Sequence, residues 1–154
     1  MPTESGFDVD WSRYPDYLRS VRDRMPKGAL AYAEALWHYD VENDACPRGF
    51  ETQSLQVVRS KGVGEDVLPG VEIHLRLRQA GINLSIEFFY SKVQIFRTGI
   101  FRFGDNELFR GYGHWLADEV LVDDSGLVTH EVQFRNGDLL VECSELTATL
   151  LQIQ

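Results

Sequence analysis

Hydrophobic and polar residues change period once along this chain. From Ser12 onward, Tyr14, Tyr17, Leu18, Val21 and Met25 recur at the spacing of one helical face, while Arg13, Arg19, Arg22 and Arg24 lie off it toward solvent. Pro15 is tolerated only in a first turn, which places the helix start beside it. Met25-Pro26 closes that helix and opens a second, which offers Leu30, Ala33, Leu36 and Trp37 for burial and ends near His38. Asp40 to Phe50, DVENDACPRGF, reads as a loop from its Asn, Asp, Pro and Gly content. Beyond it the period becomes two.

Leu55 to Arg59 is the first expected strand, followed by a glycine-bearing loop, Lys61 to Gly70. Val71, Ile73, Leu75 and Leu77 alternate with Glu72, His74, Arg76 and Arg78, and Ile82 to Tyr90 alternates likewise. A two-residue turn at Ala80-Gly81 would set Leu77 against Leu84, Leu75 against Ile86 and Ile73 against Phe88, with His74 opposite Glu87 and Arg76 opposite Ser85 outside. Lys92 to Thr98 is a further strand or a continuation. Gly99 to Gly113 is glycine-spaced and aromatic, a long ordered loop or bent strand. Tyr112 to Glu145 reads as three strands joined by two turns, and Thr147 to Ile153 as the last strand.

Within that stretch Asn136-Gly137 has the residues of a type I′ hairpin turn, which sets Arg135 opposite Asp138, Phe134 opposite Leu139, Val132 opposite Val141 and His130 opposite Cys143. On the other side Gln133 meets Leu140 and Glu131 meets Glu142, a like-charge pair. A preceding loop of even length around Asp123-Asp124-Ser125-Gly126 would put Glu119 and Leu121 on the His130 face, so that Glu119, His130 and Cys143 form one internal polar row. The expected architecture is α+β: two N-terminal helices (13–38) followed by six to eight mainly antiparallel strands in a meander sheet (52–153), one domain over 1–154 with a loose arm at 1–9.

Composition narrows the class. At 154 residues, 44% hydrophobic and 25% charged, the chain can bury a core of its own. It has no apolar run of spanning length and no basic-plus-apolar leader, and its two cysteines, Cys46 and Cys143, suit a reducing compartment, so a cytoplasmic location is expected. Net charge is −9, and residues 113–154 hold eight acidic residues against one basic residue, Arg135. Such a balance repels phosphate backbones and attracts basic partners or cations, or serves only as a solvated face.

No catalytic signature is present. Gly62-Val63-Gly64 and Gly111-Tyr112-Gly113 lack the Lys-Ser/Thr of a phosphate loop, and no serine has a Gly-x-Ser-x-Gly context. A carboxylate, an imidazole and a thiol at Glu119, His130 and Cys143 are three ordinary zinc donors and also the parts of a nucleophilic set; equally, they describe a buried histidine satisfied by an acid beside an inert thiol. His38 and Asp40 at the helix end, with His114, Trp115 and Asp118 at the start of the later stretch, form a second set able to hold a divalent metal if they converge. In the structural alternative His38 merely suits the negative end of its helix and His114 is an exposed loop residue.

Trp11, Tyr14, Tyr17 and Leu18 in the form W-x2-Y-x2-Y-L, Met25-Pro26, His38-Tyr39-Asp40, Ala117-Asp118-Glu119 and His130-Glu131-Val132 together resemble small uncharacterised bacterial α+β proteins, some of them predicted immunity partners of secreted toxins. That pattern has an adjacent His-Asp pair, which Tyr39 separates here, and no catalytic residue is carried over from it. The resemblance and the acidic sheet together lead to a non-enzymatic interaction domain that requires no cofactor and binds a basic protein surface. Asp118, Asp123, Asp124, Glu131 and Glu142 would make the contact, with Tyr112 and Trp115 as aromatic anchors. The alternative is a metal-dependent or small-ligand-binding enzyme using Glu119 and His130, with His38, Asp40 or His114. Nucleic acid and membrane are not expected partners; self-association through a sheet edge or the aromatic 99–113 segment is a third possibility, compatible with the first reading.

Overall fold

A computed structural model describes residues 11–60, 70–100 and 111–153 of the chain. The expected arm at 1–9 and most of the loops expected at 61–70 and 99–113 lie outside those residues. Two short helices, α1 (Tyr14–Val21) and α2 (Lys27–Ala33), precede β1 (Glu51–Arg59), β2 (Val71–Arg78), β3 (Leu84–Ile100), β4 (Trp115–Val122), β5 (Val128–Phe134) and β6 (Gly137–Gln152). The six strands form one antiparallel sheet in the order β1-β2-β3-β6-β5-β4, two three-stranded meanders joined by the pairing of β3 with β6. No helix among the described residues is long and apolar enough to cross a membrane.

The first helix forms on the expected face but ends at Val21, and turns rather than helix carry the chain to the expected stop at Met25-Pro26. Pro15 sits in its first turn, and Tyr14, Leu18 and Val21 face the core, with Met25 buried just beyond. The second helix stops at Ala33, well before His38: the N–H of Glu34 still reaches Leu30 O, but Ala35 bonds back to Tyr32 O and His38 to Ala35 O, so the chain coils into tight turns. Leu36, expected in the core, is 91% exposed as a result. A Cβ on Gly28 would lie 2.3 Å from the carbonyl oxygen of Leu146, so glycine there lets the α2 backbone rest directly on β6.

Hairpin registers differ from the sequence expectation by two residues, which preserves faces. Leu77 pairs with Ile86, Leu75 with Phe88 and Ile73 with Tyr90. Only Gly81 of the expected Ala80-Gly81 turn takes positive φ, and the connection widens accordingly. Arg76 therefore faces and ion-pairs with Glu87, and His74 faces Phe89. Likewise Phe134 pairs with Gly137, Val132 with Leu139, His130 with Val141 and Val128 with Cys143, so His130 is not opposite Cys143, nor Glu131 opposite Glu142. The turn is Arg135-Asn136, whose N–H groups donate to His114 O and Tyr112 O, while a Cβ on Gly137 would meet Gly99 O at 2.3 Å. Docking of the tip on that neighbouring segment, together with the close approach of β3, overrides the local Asn-Gly preference.

Strands expected to end near Thr98 and to start again at Thr147 are continuous parts of β3 and β6. Both shift their inward set midway: Tyr90, then half-buried Val93 and Phe96 on either side of a register irregularity on β3, with Lys92 at φ 51°, and Cys143 then Leu146 on β6. The bend curls the sheet until its two edges touch at one corner, where Glu51 bridges His114, Trp115 donates to Phe50 O and Gly49 to Trp115 O. One hydrophobic cluster joins α1 and α2 to the inner residues of the sheet.

Candidate functional site

Inside that curl lies a buried polar network centred on Asp118. A β-bulge between Trp115 and Ala117 turns both Trp115 and Asp118 inward, although plain alternation would separate residues three apart. The β4–β5 connection runs from residue 123 to 127, an odd length, and is held by Asp123 Oδ1 accepting from the N–H groups of Ser125 and Leu127. Odd parity sets Val120, not Glu119, opposite His130 on the inner face. The expected internal row Glu119-His130-Cys143 is thereby broken: Glu119 points outward and Asp118, expected on the outer face, takes its place inside.

Four side chains donate to the Asp118 carboxylate. His38 Nε2 lies 2.8 Å from Oδ1 and the Trp115 indole N–H 3.2 Å, while Tyr32 OH and His130 Nε2 each lie 2.8 Å from Oδ2. Burial alone would raise this carboxyl's pKa, but the charge of His38 and the hydrogen bonds from both histidines hold it well below the usual carboxylate range. His130 gives its Nε2 hydrogen to Asp118, and its Nδ1 shares a hydrogen bond of 2.7 Å with Tyr90 OH. Both nitrogens of His38 face oxygen atoms, Nε2 the Asp118 carboxylate and Nδ1 the Tyr32 carbonyl at the end of α2, 3.0 Å away. Tyr32 and Tyr39 stack on either face of the His38 ring.

Chemically the network is closed. His130 and Tyr90 are wholly buried, and the cavity beside His38, Tyr39, Cys46 and Asp118 is about 50 Å³, of water size rather than substrate size. Burial pushes the Cys143 thiol up to about 12 and raises that of Cys46, whose S–H donates to His38 O; no hydrogen bond joins either thiol to an imidazole among the described residues. Of the metal candidates, only His38 and His130 converge, and both spend a nitrogen on Asp118. Asp40 is exposed and caps the N–H of Glu42, and His114 pairs with Glu51 at the sheet corner. Among the described residues no group of three or more potential ligands is placed to hold a metal.

The outer face of the β3-β6-β5-β4 half carries the other candidates. Glu119, Glu131, Leu140 and Arg97 lie in one cross-strand row, and Leu121, Thr129, Glu142 and Ile95 in the next. Glu119 thus directly faces Glu131, with Glu142 on the diagonal. Partial burial first, then Glu131 and Asp118, raise the Glu119 pKa. Among the described residues none of these three glutamates has an ion pair. Asp123 and Asp124 are exposed at the adjoining loop, Asp124 lying 3.8 Å from Arg24. Trp115 is 1% exposed, so it does not present the aromatic anchor expected of it, and Tyr112 is half-buried against Phe134. The sequence left two inner sets open on this strand: Val120 and Val122 carry Asp118 with them, and Leu121 carries Glu119. No protein-family model matches this chain, and no curated protein matches it.

Proposed function

We propose that this protein is a non-enzymatic interaction domain whose outer sheet face, built from Glu119, Glu131 and Glu142 among Ile95, Leu121 and Leu140, binds a basic protein partner. A toxin-neutralising, immunity-like role in the cytoplasm is the most concrete form of that reading. The observation that carries it is the Glu119–Glu131 pair. Like charges directly opposite on neighbouring strands cost roughly 0.2–1 kcal/mol, and a lysine or arginine from a partner converts that cost into attraction. Interleaved half-exposed apolar residues supply contact area beside the charges. The enzymatic alternative would need Glu119 and His130 to act together, and they lie on opposite faces of the sheet.

The test is capture of basic proteins encoded beside this one, measured as Kd over a salt series for wild type, Glu119→Gln and Glu131→Lys plus Glu142→Lys. Weakening by tenfold or more in the double variant, with a salt dependence smaller than that of wild type, is expected. Equal affinity of all three proteins at every salt concentration would overturn the proposal.

A further inference from the structure

The two edges of the sheet are treated differently. Along β4, Tyr14 OH donates to Val120 O at 2.7 Å and accepts from Val120 N at 3.1 Å, Tyr17 OH accepts from Val122 N at 2.9 Å, and Trp115 exchanges backbone hydrogen bonds with Gly49 and Phe50. Two tyrosine hydroxyls thus occupy the place of a neighbouring strand and close that edge. Along β1 the outer edge is engaged at Glu51 by His114, and among the described residues no backbone or side-chain group pairs with it from Ser54 to Val58. The inner apolar layer runs out onto this open edge. Leu75 and Ile73 of β2 are buried, yet their β1 partners Leu55 and Val57 are half-buried and 54% exposed.

We infer that the β1 edge pairs with the β1 edge of a second copy of this chain, antiparallel about a two-fold axis at Gln56. Antiparallel partners share a face, so a symmetric pairing must centre on a residue. Centring on Gln56 sets Leu55 against Val57 of the other copy twice, joining four inner-face apolar side chains, and sets Ser54 against Val58 on the outer face. Arg59, the one charged residue from 53 to 59, meets a neutral Gln53, so no like charges oppose. Glu51, already held by His114, bounds the pairing. The carboxylates of β4, β5 and β6 belong to the opposite side of the sheet order, so self-pairing at β1 keeps the acidic halves of a −9 chain apart. The interface is at the small end for a stable dimer and dissociates on dilution.

Sedimentation across a dilution series, together with oxidative cross-linking, tests this. Wild type is expected to move from monomer to dimer as concentration rises through the micromolar range, and Val57→Lys, at an exposed site, to stay monomeric with unchanged circular dichroism and Tm. Gln56→Cys faces itself across the axis at the 4.5–5.5 Å spacing of antiparallel partners, within disulfide range, so oxidation should join two copies while Arg59→Cys does not; Cys46 and Cys143 are buried and do not compete. A wild type that stays monomeric, a dimer indifferent to Val57→Lys, or cross-linking at Arg59→Cys as fast as at Gln56→Cys would each overturn the inference.

Discussion

Asp118 is the residue on which the interior depends. Its folded pKa is depressed, so its contribution to stability is fully present above the unfolded value of about 4 and is lost as pH falls below it. Asp118→Asn replaces two acceptors by one acceptor and a donor among four donors and strips His38 of its counter-charge. We expect it to cost about 3–5 kcal/mol in urea unfolding at neutral pH, with the gap to wild type closing as pH drops below about 4. A variant within 1 kcal/mol of wild type at pH 7 would contradict this account. Glu119 carries the opposite sign: its folded pKa is raised, so its ionisation disfavours the fold at neutral pH. Glu119→Gln should therefore gain roughly 0.2–1 kcal/mol near pH 7, a gain that vanishes in acid, while weakening capture of a basic partner. The same substitution thus separates stability from binding.

At the scale of elements, the helices are placed by a few contacts with the sheet. Tyr14→Phe keeps the ring of α1 in the core but leaves both backbone groups of Val120 without a partner, at a cost of roughly 1–3 kcal/mol and with faster amide exchange at Val120. Unchanged exchange there would show that the hydroxyl does not close the edge. Gly28→Ala forces α2 off Leu146 O and should lower stability by roughly 1–3 kcal/mol, read as a fall in Tm. Much of this level was legible beforehand. The face of α1, the alternation of β2 and the inward set of β5 follow from spacing alone, because each has a single apolar stripe. The length of α2 was not, since its end is set by His38 turning back to Tyr32 O, a contact that no local pattern announces.

For the whole molecule, the sheet divides into a half with mixed, paired charges around Arg76 and Glu87 and a half whose outer glutamates have no ion pair among the described residues. The first half ends in the open edge of β1 and the second in the sealed edge of β4. The proposed acidic binding face and the inferred self-pairing edge therefore occupy different regions, and loss of one by substitution should leave the other intact.

Hydrophobic period and turn residues determined by themselves that two helices precede an antiparallel sheet, and that His130, Val132, Val141 and Cys143 share its buried face, because a register error of two preserves every face. Which acid joins them was decided only in three dimensions. The odd loop after Val122, held by the Asp123 carboxylate, and the bulge at Trp115 exchanged Glu119 for Asp118, since a single residue of slip turns each side chain of a strand to the other side. His38 reached that same carboxylate from 80 residues away in sequence, a distance across which spacing carries no information.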